Sequence, residues 1–439
     1  MAASPLTPEG YIPRIADTQV ERYLSVFGAV EIAGTKWCGK TWTALAHAQS
    51  VSYIDDDYAL ASSDPYLVTL GEQPHAIDEW QLVPAIWNAV RRSIDRTRNL
   101  RGGWILTGSS TPFLRRVEDS QPLHSGAGRI GRIRMHPMTL SETSNSTKSV
   151  SLSVLFNGEF SPAVVPDDSQ ELINIICHGG WPEALDLDTA QAQLIARQYL
   201  QLFCTESVPQ SGRDGNVARL LIYSLARNLG QAVTRKTLVA DMSEPDSLAD
   251  KTGEALASLA TISDYLAFFK NSYLIDEIPG WVPATRSRKR MATKPKRYLA
   301  DPSLAVAQLG MDPQALMRDY QTLGLAFENL CMRDLLVYAE ALPDIGFEPV
   351  RYYRDDAGLE VDAIIELADG RWAALEIKLS EDKVDDAVNS LRRLQRKLCR
   401  GDAARTREPE FMAVITGFSQ YARQVDENIY VIPIRCLTA

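Results

Sequence analysis

The chain has 439 residues, more than one ordinary domain holds, and its length predicts about two to four domains. With 45% hydrophobic and 23% charged residues it has the balance of a soluble globular protein. No apolar run approaches the roughly 18 residues of a membrane helix, and MAASPLTPEG lacks the parts of a secretion signal, so a cytoplasmic protein with no membrane partner is expected.

The formal net charge of −10 disfavours a uniformly basic nucleic-acid binder but leaves room for a local basic patch. The 6 cysteines form no CxxC pair and the 5 histidines are dispersed, which argues against zinc and against a disulfide framework. Any metal is therefore expected on oxygen ligands.

In chain order, GAVEIAGTKWCGKTWTALAHA predicts an apolar strand ending at Gly34, a glycine-rich loop, and a helix over Thr41–Ala48. The loop matches GxxxxGK[ST], with Gly34, Thr35, Lys36, Trp37, Cys38, Gly39, Lys40, Thr41 and Trp42 as the candidate nucleotide-binding stretch. Gly34 and Gly39 allow backbone N–H groups to close around phosphates at a helix N-terminus. Lys40 would reach the β/γ-phosphates of ATP, and the Thr41 hydroxyl would ligate Mg²⁺.

SVSYIDDD predicts a further strand of a parallel sheet. PHAIDEWQ then places Asp78 and Glu79 at a strand end, where Asp78 would hold Mg²⁺ and Glu79 would polarise the attacking water. The alternative is an ordinary helix cap. RGGWILTGSS predicts an almost wholly apolar strand ending in Thr107, Ser109 and Ser110, the place for a γ-phosphate sensor. HSGAGRIGRIRMHPM predicts a fifth strand at about Arg132–Met138. Arg129 and Arg132 could there reach a neighbouring subunit's nucleotide, or be plain surface arginines.

GTKWCGKT, IDEWQ, ILTGSS, GAGRIGRIRMHPMTLSE and CHGGWPEAL together resemble the AAA-type ATPases that carry a DUF4143 C-terminal region. The resemblance implies a Rossmann-like P-loop AAA+ core and a homo-oligomer, a hexamer, with nucleotide at the subunit interfaces. It implies ATP and Mg²⁺ as cofactors.

Residues 140–168 are Ser/Thr/Pro-rich and read as a connection leaving the core, and the following helical patterns read as a lid. From about 215, three helical patterns, a hairpin-like tail and a basic run outline a winged helix. In its third helix Ser258, Thr261 and Lys270 are expected outside, and Tyr265, Leu266 and Phe269 inside. The run RSRKRMATKPKR would form the wing, with Arg286, Arg288, Lys289, Arg290, Lys294, Lys296 and Arg297 neutralising DNA phosphates. A protein-contact module with a solvated basic loop is the alternative.

In the last third, GLEVDAIIELADGRWAALEIKLS predicts a hairpin turning at Asp369-Gly370. Glu376 and Lys378 share one strand face by the period-two rule, and Asp362 on the partner strand can point to the same place. Glu328 lies on an otherwise apolar helix, where an acidic residue is costly without a partner. The order helix–strand–strand–helix–strand resembles the PD-(D/E)xK nuclease fold. Glu328, Asp362, Glu376 and Lys378 match its metal-site motif, although Val361 stands where that motif has proline. The competing reading is a half-exposed hairpin with ordinary charge alternation.

The expected fold is thus a multidomain α/β chain. It has a P-loop AAA+ core with a parallel sheet (1–150), a helical lid (151–212), a winged-helix domain (213–300) and a restriction-endonuclease-like α/β domain (301–439). The expected function is an ATP-hydrolysing oligomeric motor on DNA, branched DNA included, whose C-terminal domain binds or cuts it. The alternative is a nucleotide-controlled regulatory or defence switch with protein partners and no cleavage. A metabolic P-loop kinase fits poorly, because nothing in the last two thirds reads as a small-molecule acceptor site.

Overall fold

A computed structural model describes residues 4–97, 99–109, 125–166, 168–242, 257–283, 294–400 and 406–439. The chain divides into two compact units, Met1–Met138 with Asn271–Leu274, and Thr139–Lys270 with Ile275–Ala439.

In the first unit, β1 (Ala29–Gly34), β2 (Ser50–Tyr53), β3 (His75–Asp78), β4 (Trp104–Gly108) and β5 (Ile130–Met135) form one sheet in the order β2-β3-β4-β1-β5. Every neighbouring pair is parallel, so each strand must be reached by a crossover, and helices Lys40–His47 and Ala85–Arg96 supply two of them. Such a sheet is covered on both faces, which is why β1 and β4 read as nearly continuous apolar runs. Val30, Ile32, Ile105 and Ile133 pack on one side, and Ala29, Ile77, Trp104 and Leu106 on the other with Trp80 and Trp87. Burying one such isoleucine contributes about 1.5–3 kcal/mol. The fifth strand begins two residues earlier than its sequence pattern suggests, because Ile130 pairs with Ala29.

The second unit begins with β6 (Val150–Ser151) and β7 (Ala163–Val164), which lie in the stretch expected to be mere connection. β6 pairs with β16 (Leu437–Thr438) at the chain's end, and β7 forms the edge of a seven-stranded sheet. Leu140 N–H donates to the Asp334 carboxylate at 3.0 Å, and Ser141 N–H to Tyr338 Oη at 3.3 Å. Residues 139–151 therefore belong with this unit, not with the first sheet. Serine- and threonine-rich composition signals a loop, but it carries no information about distant strand partners.

Helices Ser169–His178 and Thr189–Leu202 follow, and GGWP sits between them as a buried junction. Gly179 (φ 79°) could not carry a side chain, since its Cβ would fall 2.4 Å from Ser303 Oγ. Gly180 N–H donates to Asp301 at 3.0 Å, and Asp301 in turn accepts from buried Arg333 at 2.7 Å. Three helices come next, Gly215–Arg227, Arg235–Met242 and Leu259–Asn271, then an antiparallel hairpin of β8 (Ile275–Ile278) and β9 (Lys296–Leu299). Tyr265, Leu266 and Phe269 are buried as expected, and Lys270 is exposed. Ser258 and Thr261 cap the third helix, with the Thr261 amide donating to Ser258 Oγ at 3.1 Å.

The long helix Tyr320–Glu340 leads into β10 (Arg351–Arg354), β11 (Glu360–Glu366), β12 (Trp372–Lys378), β13 (Phe411–Thr416), β14 (Tyr421–Asp426) and β15 (Ile429–Pro433). The sheet order is β10-β11-β12-β13-β15-β14-β7. β10, β11 and β12 are antiparallel, whereas β12, β13 and β15 run parallel. Helix Val384–Cys399 makes the crossover from β12 to β13 and buries Val388, Leu391 and Leu394 against Ile364, Ala374 and Val414.

Candidate functional site

The first unit builds its site at the C-terminal ends of β1, β3 and β4. Gly34 ends β1 where no side chain fits, since a Cβ there would meet Met135 O at 2.1 Å. The loop then turns through two left-handed residues, Trp37 (φ 63°) and Gly39 (φ 98°), before helix Lys40–His47 begins. Successive N–H groups thus face one concavity at a helix N-terminus, which suits a phosphate. Thr35 and Lys40 are buried, while Lys36, Trp37 and Trp42 are exposed. The Lys40 ammonium donates to Thr35 O at 2.8 Å, within the loop itself.

One strand, β4, stands between the loop strand β1 and the acidic strand β3. Its Thr107 hydroxyl donates to Asp78 Oδ1 and accepts the Glu79 amide at 3.1 Å. Thr41 Oγ1 donates to the same Asp78 oxygen at 2.9 Å. Glu79 is a non-glycine residue at φ 56°, a conformation that costs about 1–3 kcal/mol and persists only where the surroundings fix it. Its carboxylate accepts from Gln81 Nε2 and from Ser109 Oγ, the latter at 3.3 Å. Thr41 and Asp78 offer two hard oxygen donors beside the phosphate loop, and these fit Mg²⁺. Ser110 lies outside the described residues.

The two arginines lie elsewhere. Arg129 precedes β5 and pairs with Asp95 at 2.9 Å. Ile130 aligns with Ala29 and Met135 with Gly34, so Arg129 is at the opposite sheet end from its own loop, roughly 20 Å away at a strand's rise per residue. Arg132 pairs in register with Glu31, whose carboxylate is buried and also accepts from Trp80 Nε1 at 3.2 Å. Burial raises the Glu31 carboxyl above its ordinary range and the Arg132 charge opposes the shift.

A strap ahead of the loop carries no motif, and sequence reading missed it. Arg14 donates to Cys38 O at 2.7 Å and to His136 O at 2.9 Å, tying the loop to the end of β5. Tyr11 Oη donates to Asp17 at 2.7 Å and lies 3.2 Å from Thr43 Oγ1, and Asp17 also pairs with His47 at 3.1 Å. Only the local sequence YIPRIAD, a proline-braced turn before a helix, could have hinted at it.

In the second unit Glu328, Asp362, Glu376 and Lys378 do come together. Lys378 Nζ lies 2.6 Å from Glu376 Oε2 and 3.2 Å from Asp362 Oδ2. Asp362 Oδ2 also accepts the Ile377 amide at 3.0 Å, and Glu328 Oε1 accepts from Tyr298 Oη at 2.6 Å. The surprise is Lys296. Expected on an exposed wing, it is buried on β9, with Nζ 3.2 Å from Asp362 Oδ1, 2.8 Å from Glu360 Oε1 and 3.4 Å from Glu328 Oε1. Arg297 is likewise buried and holds Glu277 at 3.0 Å. Neither is placed to meet a phosphate, because a charge this deep must be paired inside the fold. Lys294 is exposed, while Arg286, Arg288, Lys289 and Arg290 lie outside the described residues.

The cluster's electrostatics follow from this packing. Burial would raise Asp362, but Lys378 and Lys296 hold it well below the usual carboxylate range. Burial and then the Asp362 charge push Glu376 up to about 8, and the same two causes raise Glu328. Among the described residues no group of three or more His, Cys, Asp or Glu is arranged to hold a metal ion. The nuclease-type metal expected at Glu328, Asp362, Glu376 and Lys378 does not fit these residues as they stand, since ammonium groups fill the space between the carboxylates.

No helix among the described residues is long and apolar enough to cross a membrane. Comparison with known proteins finds three consecutive family matches. Residues 27–144 match an AAA domain, residues 169–315 a domain of unknown function (DUF8612), and residues 323–437 a domain of unknown function (DUF4143). No curated protein sequence matches the chain. Among solved structures, the Walker-type ATPase PABY2304 of Pyrococcus abyssi is 13% identical, with 70% of this chain and 99% of that one covered and a TM-score of 0.43. The ORC1 protein of Aeropyrum pernix, solved in complex with DNA, is 15% identical over 71% and 97%, with a TM-score of 0.27. A RuvB variant of Thermotoga maritima is 17% identical over 62% and 93%, with a TM-score of 0.28. The chain thus carries a P-loop AAA domain of the AAA_14 type followed by a DUF4143 domain, the pairing that its motifs resemble.

Proposed function

We propose that the first unit hydrolyses ATP with Mg²⁺ and that the chain works as a homo-oligomer, a hexamer, acting on DNA. The observation that carries the hydrolytic reading is Thr107, which joins Asp78 and the Glu79 backbone beside Thr41. Thr41 and Asp78 would hold the metal, which would neutralise charge on the β- and γ-phosphate oxygens. Lys40 and the loop amides would bind the phosphates. Glu79, its backbone fixed by Thr107 and its carboxylate by Gln81 and Ser109, would orient water and take its proton. Arg129, at the far sheet end from its own loop, would meet a neighbouring subunit's nucleotide. The location is cytoplasmic.

DNA contact by the second unit is supported by three helices followed by a hairpin, the outline of a winged helix. The order β10-β11-β12-β13, with a helix crossing between β12 and β13, supports a nuclease-like fold for residues 301–439.

The deciding experiment is ATP turnover by the full chain, alone and with single-stranded, duplex and four-way-junction DNA. Turnover lost in Lys40→Ala and raised by DNA, most by the junction, is expected. Turnover that survives Lys40→Ala would remove the phosphate-loop assignment.

A second reading, a nucleotide-controlled switch with protein partners, is favoured by one observation. Lys296 and Arg297, two of the basic residues assigned to DNA, are consumed in internal ion pairs. Slow turnover indifferent to every DNA would select it.

A further inference from the structure

Lys296 reaches the carboxylate cluster from outside the helix and sheet carrying the acids, as Tyr298 does from the same strand. It rides on β9, whose backbone is paired with β8 through Ile278. Its ammonium sits among three oxygens from two separate elements, Glu328 Oε1 on the long helix and Glu360 Oε1 and Asp362 Oδ1 on β11, at 2.8–3.4 Å. The ring of Tyr352 covers it at 5.5 Å. Three carboxylate oxygens converging on one point are an ordinary donor set for a hard divalent cation, which needs them at about 2.0–2.6 Å. Here the distances are those of charge-assisted hydrogen bonds to nitrogen. The Lys296 side chain is 4% exposed, so it cannot yield the point to an ion by a small swing into solvent. A divalent ion added beside it would meet a like charge at close range in a poorly screened site.

We propose that the Lys296 ammonium is the resident cation of this site. It stands where a divalent metal would otherwise bind, so the intact chain neither takes up a metal ion at Asp362 nor cuts DNA there. The cluster then does mechanical work. One lysine and three acids pin the β8–β9 hairpin to the long helix and to β11, three segments distant in sequence. Lys378 plays a separate part, neutralising Asp362 and Glu376 from β12. The inference does not depend on ATP hydrolysis, and a failed turnover assay would leave its test unchanged.

The test is Mn²⁺ binding to the nucleotide-free full chain, read from the electron-paramagnetic signal of the free ion. Wild type and Asp362→Asn are expected to bind the same amount at about millimolar Mn²⁺, so any ion near Thr41 cancels in the difference. Lys296→Met is expected to gain about one equivalent, which Lys296→Met with Asp362→Asn loses again. Binding by wild type that disappears in Asp362→Asn would overturn the proposal. So would a folded Lys296→Met chain that gains no ion, or wild-type nicking of DNA that needs both Mg²⁺ and Asp362. Should Lys296→Met fail to fold, wild-type lysine acetylation read by mass spectrometry decides. Lys296 is expected to react at least tenfold more slowly than exposed Lys294, with no change in about 10 mM Mg²⁺. Labelling at the Lys294 rate, or labelling accelerated by Mg²⁺, would overturn the proposal.

Discussion

Thr107 donates its hydroxyl hydrogen to Asp78 while accepting the Glu79 amide, so a single β4 side chain fixes both acidic residues at the end of β3. Thr107→Val keeps the side-chain shape and removes both bonds. It leaves a half-buried carboxylate oxygen and an amide with one partner fewer, a loss of about 1–3 kcal/mol. The unit should still fold. Turnover is expected to fall by about ten- to a hundredfold with ATP affinity changed less than about threefold, since the lost contacts orient groups and do not bind phosphate. Equal losses in affinity and turnover would mean that Thr107 serves the loop and not the acids.

Arg129, just before β5, and Arg132, within it, separate a role across subunits from a role within the fold. The exposed Arg129–Asp95 pair contributes about 0–1 kcal/mol, so Arg129→Ala should leave the melting temperature nearly unchanged. If Arg129 completes a neighbour's site, turnover falls by about a hundredfold or more at unaltered nucleotide binding, and mixing with inactive Lys40→Ala subunits, which keep Arg129, restores part of it. Arg132→Ala should behave differently, because it strands the buried Glu31 carboxylate. With Arg132 itself half exposed, a cost of about 1–3 kcal/mol is expected, and Glu31→Gln in the same chain should recover most of it. Calorimetry of the two single variants and the pair distinguishes these outcomes.

The first sheet was largely legible in the sequence, and the reason is local. The phosphate loop needs its glycines, lysine and threonine consecutively, and each buried parallel strand must be an apolar run, so GTKWCGKT, HAID and WILTG carry their own meaning. Glu328, Asp362, Glu376 and Lys378 lie near one another, as the helix and hairpin patterns lead one to expect. Lys296 was not legible. A lysine in a basic run looks solvated until a distant helix and strand are folded around it. The same holds for Arg14, whose partners are the backbone carbonyls of Cys38 and His136 and leave no trace in side-chain spelling.

The GGWP junction gives a stability prediction. Arg333 is fully enclosed between Asp301 and Asp334, at 2.7 Å from each. Those two carboxylates also accept Gly180 and Leu140 amides, so one guanidinium organises two loops. Arg333→Met removes the charge and strands two buried acids, at a cost of about 3–5 kcal/mol. Limited proteolysis should then open the second unit near residues 139–146 and 179–185. Protection equal to wild type would show that the acids find other partners.

The pH dependence of the second unit is set by Glu376. Its folded carboxyl is pushed up to about 8, by burial first and then by the charge of Asp362, against a value of about 4.3 in an unfolded chain. The folded state therefore holds this proton more tightly than the unfolded state does. Its contribution is fully present below about pH 4.3 and is lost as pH rises through about 8. Asp362 is shifted the other way, so its contribution is already complete above about pH 3.9 and stays constant through this window. Lys296 and Lys378 remain charged throughout, their ammonium groups being raised by the surrounding acids against the opposing effect of burial. Between pH 6 and 8 the stability of β12 should fall by up to about 1.4 kcal/mol per pH unit, and Glu376→Gln should flatten that slope. Hydrogen exchange at the Leu375 and Ile377 amides is the suitable readout. His75 in the first unit titrates with the opposite sign, burial holding it below its ordinary value, and a global melt would mix the two. A slope that persists in Glu376→Gln would assign the proton to Glu328, the other glutamate that burial raises.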